Sequence, residues 1–352
     1  MKKYTFEILR LEDRKKWTSL VDQSADPDFH FLPNFMELFT EKLNGSANII
    51  YFKNLENDSY LLFPFFKRKI SNSKTIKISH EVYDIISPWY FGGFLFSDVN
   101  PDKNLLTDFI YQLKIYAKEN NIVSAFIRLF PFTNSHLKLP VDEINYHYDI
   151  SYIDLKKPLK EIFSNFKKSN RNSITNALKH NIKIEFSNNE TYLKNFITLY
   201  KNTMLRLTSN SFYNFDELFF KKLFFEFKNN IFLGVAKYEN KIISSSIFIY
   251  KYDYAYYWLS GYDYSLKHLN ANNLLLFESI KKLKTTKTSK LILGGGSTNL
   301  QKFKNSFSKS CISYNTWQKI FLLELYEKLS SDVTSNLNIS DNFFPLYRKT
   351  LP

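Results

Sequence analysis

Gly294-Gly295-Gly296 is followed at once by Ser297 and, two helical turns on, by Lys304, within "LGGGSTNLQKFKNSFS". A glycine run between a short apolar stretch and a helix bares main-chain N–H groups at the helix start. Orphan donors and the helix dipole both favour an anion there. The stretch is not a P-loop, because it lacks the Gly-Lys-Ser/Thr ending, nor is it the spaced dinucleotide fingerprint. A plain tight turn is the alternative. Phe303 and Phe307, one turn apart, are expected to face the core, which puts Lys304 at the rim of that face. Gly294, Gly295, Gly296 and Ser297 are therefore candidate anion-binding residues, with Lys304 a candidate cation beside them. This reading requires an open hollow reaching the triplet; a bend plugged by side chains defeats it.

A second glycine pair, Gly92-Gly93, ends "YDIISPWYFGG". It is either a strand bulge or, with Asp84, Trp89 and Tyr90, the wall of a substrate cleft. Arginine suits fixed, bidentate contacts to phosphate or carboxylate. That makes Arg206 in "TMLR" and Arg128 in "FIRLFP" candidate anion contacts, with an ordinary salt bridge as the alternative for Arg128. Glu278 interrupts an apolar helical run, as a buried base with a raised pKa or as part of a polar face. Tyr257 and Tyr262 in "YAYYWLSGY" could hydrogen-bond an acceptor or belong to core and surface. His180 and His268 lack ligand spacing, so no metal site is expected.

These residues need elements to hold them. In the second half, periodicity predicts a strand at 181–187, helices at 192–206 and 215–228, and strands at 231–238, 242–251 and 254–262. A helix at 270–284, a strand at 290–293, a short helix at 299–307 and a strand at 312–323 complete it. The order β-α-α-β-β-β-α-β-α-β has a looser copy in the first half. There, strands are expected at 4–9, 47–53, 60–70, around 75–96, 121–130 and 146–155, with helical material near 11–42 and a helix at 103–120. A helical connector at 156–181 joins the halves. The fold class is α/β (α+β), divided as 1–155, 156–325 and a tail, 326–352.

The 352 residues carry a formal charge of +14, from 48 basic and 34 acidic side chains. The charge suits a polyanionic partner, although the abundance of Lys, Asn, Ile, Phe and Tyr explains it by composition alone. One cysteine, Cys311, leaves no internal disulfide and fits a reducing compartment. The start, "MKKYTFEILRLEDRKKW", has no apolar h-region, and no stretch approaches the ~20 apolar residues of a membrane span. A cytoplasmic protein is expected, at most touching the inner face of a membrane.

"LYKNTMLR", "YYWLSGY", "NNLLLFESIKKLK", "LGGGSTNLQKFKNSFS" and the terminal "FFPLYR" together resemble the FemABX-like acyltransferases of the GNAT superfamily. "SPWYFGGFLF" and "FIRLFP" resemble motifs of that family's first domain. The resemblance implies two tandem GNAT-like domains, each a mixed, mostly antiparallel sheet flanked by helices. It implies transfer of an activated acyl or aminoacyl group to an amine, with acyl-CoA or aminoacyl-tRNA as donor substrate and no tightly bound cofactor. By the same likeness, Arg171 in the basic stretch 167–180 is a donor-binding candidate. No heptad run is long enough for the coiled-coil insertion of the peptidoglycan-bridge branches. The resemblance implies an amino sugar or peptide acceptor of envelope glycan or peptidoglycan-type assembly, nucleotide- or lipid-linked. It also implies Gly294, Gly295, Gly296, Ser297 and Arg206 toward the donor, Asp84, Trp89, Tyr90, Gly92, Gly93, Arg128 and Tyr257 toward the acceptor, and Lys304, Glu278 and Tyr262 in catalysis. With no Ser-His-Asp or Cys-His set readable, direct transfer without a covalent enzyme intermediate is expected. The alternative is a non-catalytic protein on a GNAT scaffold that binds tRNA or another RNA, or a membrane surface.

Overall fold

The computed structural model describes residues 3–70, 80–102, 104–133, 139–140, 143–334 and 343–349. Along the chain, β1 (Tyr4–Leu9) leads into α1 (Arg14–Asp22), α2 (Pro33–Glu37) and α3 (Thr40–Leu43). β2 (Gly45–Asn54), β3 (Tyr60–Lys69), β4 (Tyr83–Ile86), β5 (Leu95–Phe96), α4 (Leu105–Glu119) and β6 (Ile122–Arg128) follow. Next come β7 (Ile144–Asp154), α5 (Leu159–Asn165), α6 (Lys168–Lys179), β8 (Lys183–Ser187), α7 (Leu193–Arg206) and α8 (Glu217–Glu226). β9 (Ile231–Tyr238), β10 (Lys241–Lys251) and β11 (Tyr254–Tyr262) precede α9 (Ala271–Leu283), β12 (Lys290–Gly294) and α10 (Thr298–Lys304). β13 (Cys311–Ile320) and α11 (Leu323–Thr334) close the chain.

From β8 to β13 the order is the one periodicity predicts, element for element. The expected strand around 75–96 is different. Residues 75–79 lie outside the described residues, and the rest forms two short strands, β4 and β5, around an irregular 87–94.

The chain packs as two compact units, residues 1–147 with 314–352, and residues 148–313. The expected boundaries at 155 and 325 stand a few residues beyond these, and the C-terminal stretch joins the first unit. Thr316–Ile320 of β13 pair antiparallel with β6, and Leu329 of α11 packs with Ile70, Val82 and Val123. Strand partnership of this kind is set by long-range pairing, which local periodicity does not encode.

The first unit's strands run β1-β2-β3-β4-β6-β13, with β5 beside β3. Only β4 and β6 in that order pair in parallel, and α4 lies between them in sequence, as a parallel pair requires of its crossover. Phe52, Phe63, Phe65, Phe109 and Trp317 fill the core.

The second unit's strands run β7-β12-β11-β10-β9-β8. β11 and β12 pair in parallel through the α9 crossover, and the other neighbours pair antiparallel. α9 buries Leu274, Leu275, Leu276, Ile280 and Leu283 in a core shared with Phe232, Phe248 and Leu291. α7 buries Phe196 and Tyr200, which meet Phe220 of α8 at ring distances of 5.2 and 5.8 Å. Burying each such side chain contributes roughly 1.5–3 kcal/mol, enough to set both helices firmly.

Candidate functional site

A cavity of about 740 Å³ opens in the second unit beside α7. Asn195, Thr198, Asn202 and Arg206 line it from one polar stripe of that helix, at spacings of three and four residues. α7 can approach β11 closely because residue 261 is glycine; a Cβ there would overlap the main chain of Leu199 and Tyr200. The contact is keyed by Tyr262 N, which donates to Thr203 Oγ1 at 3.2 Å. Tyr262 and Arg206 are thereby brought to the same wall. The Arg206 guanidinium lies 5.3 Å from the Tyr262 ring and 4.4 Å from the Tyr264 ring, and Nη2 reaches the Tyr262 hydroxyl at 3.4 Å.

Three cations line this cavity, and they are not equivalent. Lys237 donates to Glu185 at 2.7 Å and to the Tyr192 hydroxyl at 3.1 Å, and those bonds raise its pKa above the ordinary value. Lys241 pairs with Asp263 at 2.9 Å. The hydroxyl of Ser265, then Lys241, holds the Asp263 carboxyl below its usual range. Arg206 alone of the three has no carboxylate within ion-pair distance among the described residues; its partners are the two tyrosines. Lys267 reaches the Tyr264 hydroxyl at 3.0 Å, which, with a smaller contribution from Arg206, pulls that phenol below its ordinary pKa. Two cations thus flank one ring at the cavity wall, an arrangement that attracts an anion.

The glycine triplet is built differently from the expectation. Gly294 (φ 76°) and Gly296 (φ 142°) take left-handed backbone open to glycine. Gly295 is buried with its α-carbon against the Tyr148 ring, so that a Cβ would overlap it, and Leu300 packs against Gly296. Gly296 and Ser297 are exposed. Neither the 740 Å³ cavity nor a second hollow of about 150 Å³ is lined by residues 294–297. The open hollow expected at this bend is therefore corrected: Tyr148 and Leu300 plug it.

Lys304 is also displaced from its expected place at a rim. It is buried, and its Nζ donates to the Gly295 carbonyl at 2.6 Å. Burial alone pushes this ammonium down to about 7. The backbone of the triplet thus meets Lys304 through a carbonyl, where the expectation was amides turned to a ligand.

The remaining candidates divide between structural and undecided placements. Asp84 is not an acceptor contact. It is 1% exposed and takes Arg68 at 2.9 and 3.0 Å and Arg348 at 2.8 and 3.1 Å. Arg171 donates to the carbonyls of Ser164 and Phe166, closing the C-terminal end of α5. Glu278 pairs with Lys281 at 2.6 Å on the polar side of α9. Tyr257 is buried in the core beside Phe248, and desolvation raises its pKa. Gly92 bridges to β6: its N–H donates to Arg128 O at 2.7 Å and its carbonyl accepts from Phe130 N at 2.9 Å. Gly93 follows with φ 103°.

The 89–93 segment and Arg128 are nevertheless neighbours. Half-buried Trp89 and Tyr90 stack near Phe39 and His30, and the Arg128 guanidinium covers the Phe126 ring at 4.9 Å.

Sequence reasoning missed the other lining groups. Asn195, Thr198 and Asn202 carried a signal, a polar stripe in register with Arg206 on one helix. Tyr148 carried none, because its contact with Gly295 joins residues far apart in sequence.

Residues 164–305 match a family model described as an acetyltransferase (GNAT) domain. Among curated protein sequences, none matches the chain significantly. The fold is similar to that of FemX, with a TM-score of 0.70 at 14% identity over 92% of this chain and 99% of the other. It is also similar to the C-terminal domain of a putative lysylphosphatidylglycerol synthetase from Agrobacterium fabrum, with a TM-score of 0.53 at 12% identity, covering 90% and 96%. A tandem GNAT protein from the clavulanic acid biosynthesis pathway gives 0.52 at 5% identity, covering 90% and 98%. Residues 164–305 thus match the pattern of a GNAT acetyltransferase domain, in a chain whose fold is similar to that of FemX.

Proposed function

We propose that the protein moves an activated acyl or aminoacyl group directly onto an amine of a cell-envelope glycan or peptidoglycan-type precursor. The observation that carries this reading is Arg206. Within the matched residues 164–305 it is the cavity-lining cation with no carboxylate partner among the described residues, held on two tyrosine rings. A planar guanidinium so fixed meets a phosphate or carboxylate through two parallel hydrogen bonds. Its assigned partner is the anionic portion of the donor, acyl-CoA or aminoacyl-tRNA.

In the transfer, the amine nitrogen bonds to the acyl carbon and the ester C–O or thioester C–S bond breaks. The proton shed by the nitrogen ends on the departing oxygen or sulfur. The amine must be neutral and the carbonyl must be held close to it. Tyr262, with its hydroxyl on the cavity side, is assigned to hydrogen-bond the acceptor. No step is routed through Lys304, which is buried on the Gly295 carbonyl beside the Tyr148 ring. Cys311 is exposed, and no covalent acyl-enzyme is invoked.

Labelled acyl-CoA and labelled aminoacyl-tRNA, each titrated with the pure chain, test the reading. Saturable binding of one donor, weakened about tenfold or more in Arg206→Ala, is expected from loss of a charged hydrogen bond. Binding of neither donor, or binding indifferent to Arg206, sinks it.

A further inference from the structure

The described residues include fifteen large apolar side chains that stand exposed, and five of them, Leu205, Leu207, Tyr213, Leu218 and Phe225, fall within 21 consecutive residues. Phe225 is 80% and Leu205 76% exposed, which is far beyond the scattered single leucines of an ordinary surface.

The helices explain how they come to share a face. α8 buries Phe219, Phe220, Leu223 and Phe224. Leu218, Lys221, Lys222 and Phe225 are left on its outer side, spaced by three, four and seven residues. α7, locked to α8 through Phe220, turns Lys194, Lys201 and Leu205 outward. Glu217, in the first turn of α8, bonds to Lys221 and lies within electrostatic reach of Lys194 and Lys201 of α7.

On these outer sides Lys194, Lys201 and Lys222 have no carboxylate within ion-pair distance among the described residues, while Lys221 pairs with Glu217 at 2.9 Å.

We propose that this α7–α8 face is a contact for an anionic phospholipid surface. Phe225, Leu218 and Leu205 enter the boundary between headgroups and acyl chains, and the lysines lie among the phosphates. The alternation of single apolar residues with lysines is the pattern of an interfacial helix. A second copy of the chain fits poorly. A two-fold interface would set lysine against lysine, and a stable dimer needs about 800 Å² of close-packed surface on each partner. Among the described residues no helix is long and apolar enough to cross a membrane, so the contact is peripheral. It goes beyond the proposed transfer reaction and is read without any substrate.

Co-sedimentation of the full chain with vesicles tests it, comparing phosphatidylcholine alone with phosphatidylcholine containing a quarter phosphatidylglycerol. Pelleting is expected with the anionic vesicles only, weakened at least tenfold by Phe225→Ser combined with Leu218→Ser and by Lys221→Gln combined with Lys222→Gln. A Phe225→Trp variant, which keeps the apolar group, should retain binding and show a blue-shifted emission on those vesicles. No pelleting, pelleting indifferent to these variants, or an unshifted Phe225→Trp emission overturns the proposal. So does a dimer in sedimentation equilibrium that Phe225→Ser abolishes, or capture of tRNA by this face without vesicle binding.

Discussion

Two arginine-bearing regions of the molecule use the same side chain in opposite ways. Around Asp84, in the first unit, Arg68 and Arg348 converge on one buried carboxylate through four charge-assisted hydrogen bonds. Around Arg206, in the second unit, one guanidinium rests on two tyrosine faces beside an open cavity. The first arrangement closes every strong valence inside the protein. The second leaves the guanidinium with no carboxylate within ion-pair distance among the described residues. The lesson is that a motif arginine points to a ligand only when the fold withholds an acid from it, and residue type alone does not say which has happened.

The largest effect expected tests the closed region. Asp84→Ala leaves two half-buried guanidiniums without their acid and should destabilise the chain by about 3–5 kcal/mol, read as a lower urea midpoint. A change within about 0.5 kcal/mol would break the contrast. Next comes Lys304, which shares burial with Asp84 and, like Arg206, has no carboxylate partner among the described residues. With its bend covered, Lys304→Ala is expected to leave the transfer rate unchanged; a loss of ~10²-fold would restore this cation to the transition state.

Its titration gives an independent reading. The folded pKa of about 7 lies below the ordinary lysine value of about 10.4. Between those values the unfolded chain binds more protons than the folded one, so stability rises with pH across that window. Below about pH 7 the cost of burying the charge is felt in full. Lys304→Met should therefore compare best with the parent near pH 6 and lose that relative advantage toward pH 10. Parallel stability curves for the two proteins would show that the depressed pKa is absent.

Arg206→Ala sharpens the contrast from the other side. Donor binding should fall about tenfold, while stability, for an exposed residue, stays within ~0.5 kcal/mol. A loss of stability matching that of Asp84→Ala would place Arg206 in the scaffold. The smallest effect belongs to Glu278→Gln. It removes one partly exposed pair to Lys281 and should cost ~1 kcal/mol or less, with transfer unchanged; a large loss of rate would restore Glu278 as a base.

Much of the fold was legible because it is written in local periodicity. The β8-to-β13 order, the amphipathic α7 and α8, and the connector helices α5 and α6 all carry their pattern in neighbouring residues. The same logic found Arg206 and Tyr262, which the fold does bring together. It left Glu278 open between a polar face and a buried acid, because spacing could not separate them, and the structure pairs it with Lys281. Asp84 was misplaced because Arg68 and Arg348 lie 16 and 264 residues away in sequence. Tyr148 escaped notice for the same reason, and with it the plug over Gly295.

The amino-acid sequence by itself determined which segments are helix and strand, where glycine permits close approach, and which family the pattern resembles. Only the tertiary structure decided which charges are consumed. It joined Arg348 to Asp84, laid Tyr148 over Gly295, turned Lys304 inward and left Arg206 facing a cavity. The physical reason is range: hydrophobic period and backbone preference act over a few residues, whereas burial and pairing of a charge depend on groups the chain brings together only when folded.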